Sequence, residues 1–154
     1  MRYVIALLAF AGIVVSSLAL QVHYSSALEP CDINSHWDCG IVNHSSFSTV
    51  DGLWWHVRDN LHPGSLTGPA PRTGLPVAAV GIAGYAAIAL LAFFRRRWWL
   101  VLFALGGLGL ALYLSNIEAH VLEVWCLYCV ISQCLIALTT LLSLIWLFFR
   151  PQRA

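Results

Sequence analysis

Four long stretches of the chain contain no charged residue, and most of the polar residues lie between the first and the second of them. The uncharged stretches are residues 3–20, 75–94, 98–114 and 125–149. A helix that crosses a bilayer takes about 20 apolar residues, with a range of about 17–25. The pattern therefore predicts an all-α integral membrane protein, a four-transmembrane-helix bundle whose spans are these stretches, the third extended to about residue 116.

The composition supports a membrane domain rather than a soluble one. Hydrophobic residues make up 60% of the 154 residues and charged residues 10%, whereas soluble domains average about 45–50% apolar and about 25% charged residues. The length suits one domain. We therefore expect residues 1–154 to form a single membrane domain, with residues 21–74 as its long outer loop.

The arginines predict the orientation of the spans. All eight basic residues are arginine, and six of them flank the predicted spans on one side of the membrane: Arg2, Arg95, Arg96, Arg97, Arg150 and Arg153. All seven acidic residues fall on the other side. Because basic residues are enriched on the cytoplasmic side, both termini and the Arg95–Arg97 turn are predicted to be cytoplasmic.

The first apolar stretch has an alternative interpretation as a signal peptide. Residues 1–27 contain Arg2, an apolar segment and a run of small residues at 25–27. The apolar segment is longer than the ~7–15 residues usual for such a signal, which favours a retained span. Cleavage would leave three spans.

The outer loop contains one segment with helical periodicity. Its apolar residues share one helical face: Val50, Leu53, Trp54, Val57 and Leu61. Asp51 is a plausible N-cap, and Pro63-Gly64 ends the pattern. A short helix is predicted here, lying either at the membrane interface, which suits two adjacent tryptophans, or packed within the loop.

Four of the five cysteines fall on the outer side of the membrane, as two pairs. Cys126 and Cys129 begin the last predicted span, three positions apart on one helical face. Such a pair can form a labile disulfide, and a helix N-terminus favours the nucleophilic thiolate. Cys31 and Cys39 lie in the loop. A loop pair can meet a soluble protein and an embedded pair a lipid-soluble acceptor, which is the arrangement of an electron relay.

Other uses of the cysteines remain open. Two inert structural disulfides would account for the same four residues. A zinc site formed by the loop pair with His36 or His44 is disfavoured, because the second pair lies in apolar sequence, and no metal is expected. Haem attachment requires a histidine where Val130 follows the second pair. Cys134, on a different helical face from Cys129, is predicted to be a buried, inert thiol.

Taken together, these features resemble the vitamin K epoxide reductase family, in particular its bacterial-type members. The matching residues are Cys31 and Cys39 separated by seven residues, Ser45, Gly74-Leu75-Pro76-Val77 followed by Gly81 and Tyr85, and Cys126-Leu127-Tyr128-Cys129. A lone Cys-x-x-Cys would be weak evidence. The combination is specific, and it covers nearly the whole chain in the right order.

The resemblance implies a four-helix bundle around a quinone, covered by the outer loop. It further implies that Cys31 and Cys39 are the loop pair and that Cys126 and Cys129 are the active-site pair. Cys129 would face the quinone, and Cys39 would attack Cys126 during electron transfer. Ser45 would lie near the site, or would serve only as a turn hydroxyl.

The chain departs from the family pattern in ways that bear on the ligand and the partner. Animal members place an Asn and a Tyr against the quinone, and the corresponding positions here are Val77 and Gln133. Gln133 can donate to a quinone carbonyl or bind a neighbouring helix. Many bacterial members carry a fused thioredoxin-like domain, which this sequence lacks, so a separate thioredoxin-like protein is the expected partner.

The sequence thus predicts a quinone-linked thiol–disulfide oxidoreductase in a bacterial inner membrane, with its site on the periplasmic side. It would oxidise its partner to support disulfide formation outside the cytoplasm, using menaquinone or ubiquinone. One alternative is a vitamin K epoxide or quinone reductase. Another is a non-catalytic membrane protein with two structural disulfides. No nucleic-acid partner is expected.

Overall fold

The computed structural model describes residues 1–25, 31–64 and 68–149, and this part of the chain is helical, without β-strands. The helices are α1 (Arg2–Tyr24), α2 (Cys39–Asn43), α3 (Val50–Leu61), α4 (Val77–Phe93), α5 (Arg97–Ile117) and α6 (Leu127–Phe148). A 3₁₀ turn at Ser46–Ser48 precedes α3, and a π-helical turn at Glu118–Leu122 extends α5.

Four of these helices are strongly apolar, at the predicted places. Within the described residues, α1, α6 and the continuous helix Arg97–Leu122 are long and apolar enough to cross a membrane. The fourth, α4, is also apolar but has 17 residues and is shorter. The helix bounds differ from the predicted spans by a few residues at each end.

The apolar helices pack into one bundle. Helix α1 lies along α4 and α6, and α5 packs against α6 and α4. Gly12 of α1 lies directly under the ring of Tyr85 of α4, where any side chain would collide with the ring. The Tyr85 hydroxyl donates to the carbonyl oxygen of Ser132 in α6, 2.8 Å away. Between α5 and α6, the Thr140 hydroxyl donates to the carbonyl oxygen of Ala104, 3.1 Å away.

The predicted loop helix is present as α3, but its cap differs from the prediction. Thr49, in extended conformation, is the N-cap, and its hydroxyl oxygen accepts from the Gly52 N–H. Asp51 was predicted for this role, but it already lies in the first helical turn, two positions beyond the N-cap. The helix ends at Leu61, just before Pro63-Gly64.

Some residues named in the sequence predictions lie outside the part of the chain that the structure describes. Residues 26 and 27 of the small-residue run, residues 65–67 of the outer loop, and Arg150 and Arg153 lie outside the described residues.

Candidate active site

The loop that carries the first cysteine pair is hydrogen-bonded to the segment that carries the second. The Asp38 N–H donates to the Trp125 carbonyl at 3.1 Å, and the Trp125 N–H donates to the His36 carbonyl at 2.8 Å. Residues 36–38 and residue 125 therefore run side by side. Because Cys39 and Cys126 each follow directly, this pairing brings the two cysteines into one place.

Three of the cysteines are buried in one apolar cluster, and a fourth packs against it. Its buried members are Val22, Cys31, Cys39, Val42, Val124 and Cys126, and Cys129 packs against it. Neither Cys39 nor Cys126 has any exposed surface. Exchange between these sulfurs would thus take place out of contact with water, protected from competing thiols.

The two pairs differ in oxidation state. Cys31 and Cys39 form a disulfide with a Cα–Cα distance of 5.8 Å, whereas Cys126 and Cys129 are free thiols. Asp32 holds the oxidised loop in place, since its carboxylate accepts from the N–H of Cys39 at 2.9 Å and of Gly40 at 3.2 Å.

Cys126 lies just before α6 and caps it through its sulfur. The Cys126 Sγ accepts from the Cys129 N–H at 3.4 Å. A hydrogen bond from the Cys129 thiol lowers the pKa of the Cys126 thiol; burial acts against this, and the Cys129 N–H and the Asn43 amide add to the lowering. Cys126 is thereby prepared to act as a thiolate, the reactive form of a cysteine.

The side chain of Asn43 links the two pairs. Its Nδ2 donates to the Cys39 carbonyl at 2.9 Å and to the Cys126 Sγ at 3.6 Å. Asn43 is the last residue of α2 and is buried. Because buried amide groups are hydrogen-bonded in stable structures, these two contacts fix the position of α2 relative to the start of α6.

A buried carboxylate lies next to the same thiols. Glu118 begins the π-helical turn after α5 and is 2% exposed. Its Oε2 accepts from the Cys126 N–H at 3.1 Å, and its side chain is also hydrogen-bonded to Cys129. The chain then reverses direction at Glu123, which has a left-handed φ of 56°. Three residues later it reaches Cys126. Such π-helical turns are frequent at functional sites.

An apolar cavity of about 710 Å³ opens beside Cys129, among residues of α1, α2, α4, α5 and α6. Gly84 and Gly106 line it, and a Cβ at either would meet no atom within 4 Å, so the glycines keep the cavity wide. Cys129 lines the cavity and Cys126 does not. One thiol of the pair therefore faces the cavity, while the other faces the loop.

Residues 3–144 match the sequence profile of the vitamin K epoxide reductase family. The chain belongs to the vitamin K epoxide reductase family. No curated protein matches it significantly. Membership in this family indicates an oxidoreductase, and the Cys31–Cys39 disulfide indicates thiol–disulfide chemistry. The apolar helices agree with a membrane protein.

The structure groups most of the residues that the family resemblance singled out. The four cysteines come together as described, and Ser45 and Val77 both line the cavity with Cys129. The Ser45 hydroxyl also donates to a backbone carbonyl three residues earlier, at 2.7 Å. Gln133 is placed differently, since its side-chain oxygen accepts from the Ser115 hydroxyl of α5 and it does not line the cavity.

The sequence did not predict two polar residues of the candidate site, Asn43 and Glu118. Glu118 did carry a signal, because it is the first acid after a long apolar stretch, eight residues before Cys126. Asn43 carried none beyond its closeness to Cys39, because its second contact is with a residue 83 positions away.

The prediction for Cys134 was wrong. Its side chain is exposed, not buried. At 100° per residue, a position five residues beyond Cys129 is rotated by about 140° from it, which turns Cys134 away from the site. In a membrane-spanning helix, that outer surface contacts lipid.

Proposed function

We propose that the protein is a quinone-linked thiol–disulfide oxidoreductase that oxidises a separate thioredoxin-like protein outside the cytoplasm. One observation supports this most strongly: the Cys126–Cys129 pair contacts the loop disulfide on one side and an apolar cavity on the other. A pair in this position can pass electrons between a protein dithiol and a lipid-soluble acceptor.

The cavity fits a quinone. Its volume lies within the range of about 300–1,000 Å³ typical of small-molecule sites, and its lining is mainly apolar, as such sites are. When bound, menaquinone or ubiquinone would accept two electrons and two protons. Cys129, Ser45 and Val77 would border the ring, whereas Gln133 would act between α5 and α6.

The cysteines would work in sequence. A thiolate of the partner attacks the Cys31–Cys39 disulfide, and the partner leaves oxidised, so that the loop pair becomes a dithiol. Cys39 then attacks the sulfur of Cys126 in an oxidised Cys126–Cys129 pair, releasing Cys129 as a thiolate. Cys31 attacks Cys39 and releases Cys126, which restores the loop disulfide and leaves the inner pair reduced. The state with a loop disulfide and inner thiols is the one this transfer would produce.

The orientation of the site follows from the arginines. We place both termini and the Arg95–Arg97 turn in the cytoplasm, with the cysteines on the periplasmic side of a bacterial inner membrane. Helix α4 would be the fourth span. Its 17 residues measure about 26 Å at 1.5 Å per residue, and the adjoining apolar residues Leu75-Pro76 and Phe94 extend it.

A thiol titration under anaerobic conditions tests the proposal. The fully reduced protein should lose two thiols when an equimolar short-chain quinone is added, and one hydroquinone should appear for each protein. A Cys134→Ser background removes the exposed thiol and its unspecific reactivity. A thiol count that does not change on addition of quinone would contradict the quinone link.

A further inference from the structure

Glu118 is a carboxylate buried among apolar helices, where a charge is costly unless it has partners or a proton. Both residues of the inner pair are hydrogen-bonded to it, Cys126 through its backbone N–H and Cys129 through its side chain. Glu118 also lines the cavity. It is therefore positioned between the sulfurs that would give up electrons and the space that would hold the acceptor.

A purely structural role would explain only part of this arrangement. The Oε2 of Glu118 accepts the Cys126 N–H, but an uncharged glutamine oxygen would accept the same hydrogen bond. The contact with Cys129 and the position in the cavity wall are not needed to hold the turn. A group that can both accept and donate a proton is needed where dithiol oxidation must release protons away from water.

We propose that Glu118 transfers a proton from the Cys129 thiol to the acceptor in the cavity. The inference rests on the proposed function. As the Cys126–Cys129 disulfide forms, Cys126 reacts as a thiolate and Cys129 as a thiol, and the pair gives two electrons to the quinone. The Cys129 proton moves to a Glu118 oxygen and from there to one quinone oxygen. The second proton of the hydroquinone comes from water on the outer side.

The test is a single-turnover reaction of the reduced protein with a short-chain quinone. Glu118→Gln keeps the size and the acceptor for the Cys126 N–H but cannot carry a proton. General acid–base groups contribute about 10²–10⁴-fold to rates, so the variant should reduce quinone on the order of 100-fold more slowly. Glu118→Asp, which keeps the carboxylate, should recover part of this loss. Glu123→Gln, an exposed acid in the same turn, is the matched control and should react at the normal rate.

A second readout requires no quinone. The negative charge of Glu118 is one of the influences that raise the pKa of the Cys126 thiol. Glu118→Gln should therefore shift the alkylation of Cys126 by a small methanethiosulfonate reagent to lower pH. A variant with a more reactive Cys126 and slower quinone reduction has lost proton transfer, and not the fold of the site.

Several results would overturn the inference. Quinone reduction by Glu118→Gln at close to the normal rate would exclude proton transfer by this residue. Equal losses in Glu118→Gln and Glu118→Asp would show that the carboxylate is not the reason for the defect. A normal protein that does not reduce quinone at all would instead refute the proposed function, and the inference with it.

Discussion

The side-chain nitrogen of Asn43 lies 2.9 Å from the carbonyl oxygen of Cys39 and 3.6 Å from the sulfur of Cys126. One amide group thus contacts both cysteines that would exchange electrons between the two pairs. Because it donates to the sulfur, it also favours the thiolate form of Cys126. Asn43 therefore both aligns the two residues and stabilises the charge that forms during exchange.

Replacement of Asn43 by Leu should weaken this alignment. The change keeps the volume but removes both hydrogen bonds and leaves the buried Cys39 carbonyl without this donor, which should destabilise the protein by about 1–3 kcal/mol. Exchange between the loop and inner pairs should slow by about tenfold, equivalent to about 1.4 kcal/mol in the barrier. Thermal unfolding and quenched-flow alkylation measure the two effects. Asn60→Leu, on the exposed face of α3, should change neither.

Replacement of Cys31 by Ser should trap the exchange intermediate. Once Cys39 has attacked Cys126, only Cys31 can release Cys39 from the mixed disulfide, so the variant should accumulate a Cys39–Cys126 bond. Mass mapping after oxidation by quinone identifies the linkage. Cys134→Ser, which removes the exposed thiol, should give no such bond. A free Cys39 in the Cys31→Ser protein would count against the relay.

The dependence of Cys126 on its partner thiol can be measured through pH. Since the hydrogen bond from the Cys129 thiol is the main influence that lowers the pKa of Cys126, removing it in Cys129→Ala should shift the alkylation profile of Cys126 to higher pH. Cys129→Ser keeps a hydroxyl donor and should shift the profile less. Identical profiles in all three proteins would show that the Cys129 side chain does not stabilise the Cys126 thiolate.

The sequence predicted the helices well because apolar stretches and their periodicity are local features of the chain. The apolar stretches predicted the four apolar helices, and the spacing of the apolar residues from Val50 to Leu61 predicted a helix where α3 lies. Caps are also local, yet Thr49 and Asp51 both qualify by residue type. The choice between them depends on the residue at which the helix begins. The Val50 N–H donates to the carbonyl oxygen of Leu75, a residue distant in the sequence, and this contact helps to set the start of α3 at Val50.

The rest of the site depends on contacts between distant parts of the chain. Glu118 reaches Cys126 only because a π-helical turn and the left-handed Glu123 reverse the chain between them. Gln133 lies one helical turn beyond Cys129, but the packing of α6 against α5 directs its side chain to Ser115. No periodicity in the sequence encodes either arrangement, since each is set by how the helices pack.

The membrane topology can be checked with single cysteines at two exposed positions. A membrane-impermeant thiol reagent added from the periplasmic side should label His62→Cys, in the outer loop. It should not label Phe94→Cys, beside the arginine turn, until the membrane is permeabilised. The Cys134→Ser background removes the other exposed thiol. Labelling of Phe94→Cys in intact cells would reverse the orientation proposed from the arginines.

The central claim is that electrons reach the acceptor from the inner pair and reach the inner pair from the loop pair. The most direct test starts from protein with all four of these cysteines reduced, mixes it with one equivalent of a short-chain quinone, and stops the reaction by alkylation at a series of times. Mass mapping should show the Cys126–Cys129 disulfide first, in step with hydroquinone, and the Cys31–Cys39 disulfide afterwards. A Cys31–Cys39 disulfide that forms first, while Cys126 and Cys129 are still thiols, would contradict the account.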